Sequence, residues 1–286
     1  MHVHYGPAPV PPGISVVHSV TALEAAREAA GSGLAAIVLK SKDSCTAPLA
    51  YAVQEVVPGV RVFGGVVLDH AVGGINPVAV LQALRTGAKV VWLPTNGSRQ
   101  DCGRHGPPEY LRFATEEEKR GLAVTDEDGK LLPAVRDVFD VVSEYDAVLA
   151  TGHITFEEHL AVARELGSSG RVLVTHCGAK GGGPGLDAAQ CAELAGYRSY
   201  MEFSGLTCID HWGSSAMSMA EHAAMIRAVP PDQVVLSGDY GWDIDLPTPA
   251  VGMRAYLNAL WDFGFTDDEL RLMACDTPAR LVGLGR

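Results

Sequence analysis

A chain of 286 residues that is 47% hydrophobic carries enough apolar material for a large core, which excludes wholesale disorder. Its formal net charge of −12 argues against nucleic acid and anionic membrane surfaces as partners. It contains no apolar run of the roughly 18 residues that a membrane span needs. It also shows no basic-then-apolar leader and no C-x-x-C pair among its six cysteines, so a cytoplasmic protein with reduced thiols is expected.

Along the chain, short β-branched runs alternate with Ala/Leu/Glu-rich stretches of helical period. The first predicted strand is "MHVHY" (1–5), followed by helix 21–30. Strands "LAAIVLK" (34–40), "VRVFGGVVL" (60–68) and "AKVVWLP" (88–94) come next, with a helix over 76–87 before the last of these. The stretch 95–132 reads as one long irregular insertion, with a hairpin turn at "TDEDGK". Beyond it come a helix over 134–145, strand "AVLAT" (147–151), a helix over 156–167 and strand "RVLVT" (171–175). Strands "SYMEFSG" (199–205) and "QVVLSG" (233–238) complete the series.

Most of these strands are apolar on both faces, as in a parallel sheet covered by helices. Eight β-then-α units in about 250 residues predict an α/β fold, a (β/α)8 TIM barrel. It is expected as a single domain over 1–286, with the 95–132 insertion following the fourth strand above the active-site face. The first strand is abbreviated, because only Met1 precedes its histidines; either the true start lies upstream or the barrel closes on a short strand. An open doubly wound sheet is the alternative, but its dinucleotide turn is replaced here by the proline-rich "GPAPVPPG".

Active sites of such barrels gather at the C-terminal ends of the strands. The polar residues of this sequence gather there too: His2 and His4, Lys40, Asp69-His70, His153, His176 and Asp239. Residues two apart on a strand point the same way, so His2 and His4 both face the barrel mouth while Val3 packs outward. Imidazole and carboxylate donors with an open position suit Zn²⁺ or a similar divalent ion. A lone strand-end histidine or aspartate is usually a hydrogen-bonded or capping residue. Four histidines and an aspartate at one end of one barrel are a different matter.

The motifs "HVH", "TGH", "THCG" and "SGDYG", with the closing "DTPARLVGLG" (276–285), resemble those of the amidohydrolase superfamily of metal-dependent barrel enzymes. "GGVVLDHAVGGINPVAV" and "AKVVWLPT" are similar to a poorly characterised bacterial branch of it. The resemblance implies that His2, His4, His153 and Asp239 bind a metal, and that His176 binds a second metal or hydrogen-bonds the attacking water. Binuclear members bridge their metals with a carboxylated lysine or a glutamate, most often on the fourth strand, and "VVWLPT" has neither. Lys40 is the substitute: a carboxylated bridge, an unmodified lysine for a substrate carboxylate, or a member of a structural ion pair.

The implied cofactor is one or two divalent ions, zinc first, with manganese or iron as alternatives. The implied activity is hydrolysis of an amide, cyclic amide or lactone bond in a small molecule. Asp239 would be the general base, and His176 would orient the water or polarise the carbonyl. A metal-dependent decarboxylase of small aromatic acids and a non-catalytic binding protein are the competing readings. Further substrate-contact candidates are His70, His105 (with Arg99 and Arg104) and Lys180 in "CGAKGGGPG", with His211 and Trp212 at the pocket mouth. Glu202 is expected to pair with an arginine or lysine, and His18, His159 and His222 to be surface or helix residues. A homo-oligomer is compatible with the apolar residues near the C-terminal helices.

Overall fold

A computed structural model describes residues 2–7, 18–211, 216–243 and 245–284. Seven strands, β1 (Ala36–Val38), β2 (Arg61–Val67), β3 (Ala88–Trp92), β4 (Val148–Ala150), β5 (Val172–Val174), β6 (Tyr200–Ser204) and β7 (Val234–Ser237), form one parallel sheet in sequence order. The sheet is curled and TIM-barrel-like. Helix α1 (Ala22–Gly31) precedes β1, the six crossovers carry α2 (Ala47–Val56), α3 (Pro77–Arg85), α5 (Pro133–Glu144), α6 (Phe156–Leu166), α7 (Ala188–Gly196) and α8 (Met219–Arg227), and α9 (Pro249–Asp262) follows β7. Helix α4 (Arg99–His105) lies in the insertion, and α10 (Asp267–Arg271) and α11 (Thr277–Val282) close the chain.

The helices begin where their sequences provide caps. Thr21, Thr155, Asp187 and Ser218 each form a reciprocal box with the Glu or Gln three residues on, satisfying backbone donors that the first turn leaves open. Side-chain alternation along the strands sorts the core. Val38, Phe63, Val90, Trp92, Val148 and Leu173 cluster inside the curl with Leu281 and Val282 of α11, while Val91, Leu93 and Leu149 pack outward with α3 and α5. Gly65 makes room for the Trp92 indole, since a Cβ there would lie 2.4 Å from its ring.

The first predicted strand is corrected. His2–Tyr5 forms no regular strand: Val3 makes a single parallel bridge to Leu39 on one side and to Tyr240 on the other. Val3 N–H donates to Val38 O at 3.0 Å, Lys40 N–H to Val3 O at 2.9 Å, and His4 N–H to Tyr240 O at 2.9 Å. The segment therefore spans from the β1 edge of the sheet to the β7 edge. Pro7 has no N–H with which to prolong either ladder.

The insertion is also more ordered than its composition suggests. It holds α4, two 3-10 turns (Glu109–Phe113 and Glu118–Arg120) and a parallel bridge between Ser98 and Leu122. The turn at 126–130 is present, with Asp126 N–H donating to Lys130 O at 2.9 Å. Among the described residues, no helix is long and apolar enough to cross a membrane.

His159 on α6 and His222 on α8 lie on helices as expected, but both are fully buried. His222 Nε2 sits 2.7 Å from the Tyr256 hydroxyl, and burial pushes its pKa down to about 4. Its folded pKa lies below the ordinary value of about 6.5, so the unfolded chain binds the proton first. The stability from neutral His222 is complete above about pH 6.5 and drains away as pH falls towards 4, by up to about 1.4 kcal/mol per pH unit. Urea unfolding of wild type and His222→Gln at pH 7 and pH 5 tests this; equal pH dependence in the two proteins would contradict it.

Candidate functional site

The strand-end residues of the predicted site meet in one place, with the exception of Asp69 and His70. His2 and His4 are 1% and 3% exposed, and both Nε2 atoms lie 3.1 Å from Asp239 Oδ1 and 3.2 Å from each other. These three donor atoms form the one group within ligand reach of a common ion among the described residues. His153 and His176 form a second pair beside it, Nε2 to Nε2 at 3.2 Å, and the His176 ring stacks on His2 with centroids 5.6 Å apart. His176 (φ 21°) and Asp239 (φ 62°) both sit in left-handed backbone, a strain that persists only where surrounding structure enforces it.

Two carboxylates hold the histidines from behind. Glu202 Oε1 stands 3.4 Å from His2 Nδ1. Its other oxygen accepts the His176 N–H at 3.1 Å, and Oε1 accepts the Ser237 hydroxyl at 2.7 Å. Glu202 thus faces the His2 imidazole and the His176 backbone amide rather than the arginine or lysine expected from its place inside a strand. Burial would raise its pKa, but His2 and His176 outweigh that and hold the carboxyl well below its usual range.

Asp101 is the functional residue that the sequence did not signal. Ser98 caps α4 by accepting the Asp101 N–H, and its own hydroxyl donates to His153 O at 2.8 Å. That double tie sets the first turn of α4 against His153, where Asp101 Oδ2 meets Nδ1 at 2.5 Å. With Nδ1–H committed to Asp101, a neutral His153 turns its Nε2 lone pair towards His176. Asp101→Asn is expected to keep the fold and weaken divalent-ion binding by about 10–100-fold. A competition titration against a chromophoric chelator measures this, and unchanged affinity would remove the orienting role.

The charges fit a metal site. Burial holds His4 and His153 well below the ordinary histidine value and brings His176 to about 3, so these rings are neutral, the form in which an imidazole can offer a lone pair to a metal. Burial acts to raise Asp239, yet His2, His4 and His176 together keep it well below its usual range and ionised. His2 lies between two carboxylates, with Glu202 3.4 Å from Nδ1 and Asp239 3.1 Å from Nε2, and its buried Nδ1 has no hydrogen-bond partner among the described residues. A cation among His2, His4 and Asp239 would meet three buried donor atoms at once. Their 3.1–3.2 Å spacings also match the edges of a coordination shell with bonds of about 2.0–2.1 Å.

The cluster lies at the base of a cavity of about 770 Å³, lined among others by His4, Lys40, Lys42, Asp101, His153, His176 and Asp239. His105, Lys180 and His211 also line it, and the 178–182 loop forms one wall. That loop is tied to the insertion, since Arg104 donates to Gly183 O at 2.8 Å. His70 does not line the cavity and instead opens a short 3-10 turn, His70–Val72. Its neighbour Asp69 accepts the Thr95 N–H and hydroxyl, each at 2.7 Å, to fasten the start of the insertion. His18 is half-buried near Trp242, and Trp212 lies outside the described residues.

Residues 1–202 match the model of DUF6282, a family of unknown function. The chain belongs to DUF6282. The match takes in His2, His4, His153 and His176 and ends at Glu202, ahead of Asp239. No curated protein matches this DUF6282 chain. Among solved structures it is similar to an organophosphorus hydrolase from Deinococcus radiodurans, at 16% identity and TM-score 0.58, covering 91% of this chain and 82% of that one. It is also similar to a mutant of a Deinococcus radiodurans PTE-like lactonase, at 15% identity and TM-score 0.60, covering 91% and 85%. At these identities the likeness is one of fold, and it extends over nearly the whole DUF6282 chain.

Proposed function

We propose that this DUF6282 protein is a metal-dependent hydrolase that cleaves an amide, cyclic amide or lactone bond of a small molecule. The observation that carries the reading is the convergence of His2 Nε2, His4 Nε2 and Asp239 Oδ1, all buried, at the floor of the cavity. The lactonase and organophosphorus hydrolase named among its structural neighbours support it, with the lactone the member of the list they favour. In this reading residues 2–5 take the place of an eighth barrel strand, which is why ligands sit on them.

His2, His4 and Asp239 would hold the ion, with His153 and His176 beside it for the water, the substrate or a second ion. A divalent ion there supplies Lewis acidity that lets water act as a nucleophile near neutral pH. Asp239 takes the proton of the attacking water and returns it to the leaving group. His176 directs the water or the scissile carbonyl. Asp101 and Glu202 keep the His153 and His2 rings in register. Lys40 lines the cavity at 2% exposure, and burial lowers its pKa to about 8, a value at which a neutral amine for carboxylation is within reach.

The test is metal content by plasma mass spectrometry with turnover of a lactone and cyclic-amide panel, in wild type and His4→Ala. One ion per chain, lost with turnover in the variant, supports a single-ion hydrolase; two ions make Lys40 carboxylation the next measurement. A wild type that takes up no metal when zinc, manganese and iron are offered overturns the reading.

A further inference from the structure

The acids and the lysines of the cavity are used differently. Asp239 faces His2 and His4, Asp101 faces His153, and Glu221 accepts the Ser218 hydroxyl and caps α8. Each lining carboxylate therefore already has a partner inside the protein. Lys40 and Lys42 have none of that kind, for neither ammonium belongs to an ion pair among the described residues. Lys40 is buried, with Nζ 5.3 Å from the centroid of Trp92. Half-buried Lys42 donates to the neutral amide oxygen of Asn96 at 3.0 Å and lies 4.3 Å from the Trp242 ring centroid. Trp242 in turn packs on His4, with ring centroids 3.7 Å apart, so Lys42 stands one indole away from the ligand cluster.

A buried ammonium with no carboxylate in direct contact is costly, and although Asp69 and Asp239 attract both lysines from farther off, a ligand anion would supply the contact itself. Exposed Lys180 adds a third lysine to the lining. The protein as a whole carries −12, whereas the cavity lining balances three lysines (Lys40, Lys42 and Lys180) against three carboxylates (Asp101, Glu221 and Asp239), each of which is already engaged. We propose that the substrate is an organic anion whose carboxylate or phosphate group is received by Lys42 and Lys40, with the bond to be cleaved lying over the His2–His4–Asp239 cluster. This rests on the hydrolase reading and narrows its substrate class. Neutral lactones and amides then become poor substrates beside their carboxylated or phosphorylated counterparts.

The test is a titration of the protein as purified with benzoate and, separately, inorganic phosphate. It is read by tryptophan fluorescence, because Trp242 touches Lys42, and by calorimetry. Wild type is expected to bind at least one of the two, and the stronger of the two identifies the group. Lys42→Met is expected to weaken binding at least about tenfold, while Lys42→Arg restores it to within about threefold. Lys89→Met, which removes the same charge from the opposite end of β3, leaves it unchanged.

Competitive lysine acylation of wild type, read by peptide mass mapping, needs no substitution. There the anion slows labelling of Lys40 and Lys42 relative to Lys89. Equal affinity in wild type and Lys42→Met, or labelling indifferent to both anions, overturns the proposal. Hydrolysis of neutral lactones without any anion binding removes the anion site and leaves the hydrolase. Anion binding in a chain that never takes up metal does the reverse.

Discussion

Asp239→Asn is expected to lower turnover by about 10²–10⁴-fold, the usual cost of removing a positioned acid–base group, while circular dichroism and thermal unfolding stay close to wild type. Asparagine is the informative replacement here. Residue 239 holds φ 62°, a left-handed conformation that Asn and Asp tolerate far better than other side chains, so the variant keeps the backbone and the volume. What it loses is the negative charge against the two Nε2 atoms 3.1 Å away, and with it both a ligand and the proton acceptor. The measurement separates the two losses: variant protein reloaded with zinc and still inactive has lost its base, whereas activity returning with added metal marks Asp239 as a ligand alone. Turnover of Asp239→Asn equal to that of wild type would remove Asp239 from the mechanism altogether.

Divalent metal is expected to stabilise the whole fold. An ion bound only by the native state contributes RT ln(1 + [L]/Kd), about 4 kcal/mol at a thousandfold excess over Kd. For a chain of this size that raises the unfolding midpoint by on the order of 10 °C. Dialysis against a chelator should lower the midpoint, zinc should restore it, and His4→Ala should respond to neither. The effect is large because His2 and His4 sit on the segment that bridges β1 and β7, so an ion shared with Asp239 ties that segment to the far edge of the sheet. A melting temperature indifferent to chelator and metal alike would contradict the site.

The parallel sheet was legible because its strands are buried on both faces and read as unbroken apolar runs, from "AAIVL" through "VVWL" to "QVVL". The site was legible for the same reason: after such runs, His153, His176 and Asp239 are the first ionisable residues, and a parallel sheet brings all its C-terminal ends together. The second row of the site was not. Asp101 reaches His153 only because the Ser98 hydroxyl crosses to the His153 carbonyl, a contact between residues 98 and 153 that no local spacing encodes. Glu202 did announce itself as a charge in the middle of an apolar strand, yet its partner was an imidazole from the other end of the chain rather than a basic residue. Lys42 looked like any loop lysine until Asn96 and Trp242 closed around it. His70 failed in the opposite way, since Asp69 turns back to hold Thr95 and Gly97 and carries its neighbour off the cavity.

The bridging of both sheet edges by Val3 has a consequence for the order of folding. The contacts of His2 and His4 with Asp239 join residues 237 and 235 positions apart, so they close a very long loop. Contacts of such sequence separation form after the neighbouring β–α–β units, whose pairings are between successive strands and far more local. The ligand cluster is therefore assembled in the last step of folding, on a scaffold whose seven-stranded sheet is already paired. On the hydrolase reading, a half-finished chain offers no centre at which water could be activated, and reactivity is expected only once the fold is complete.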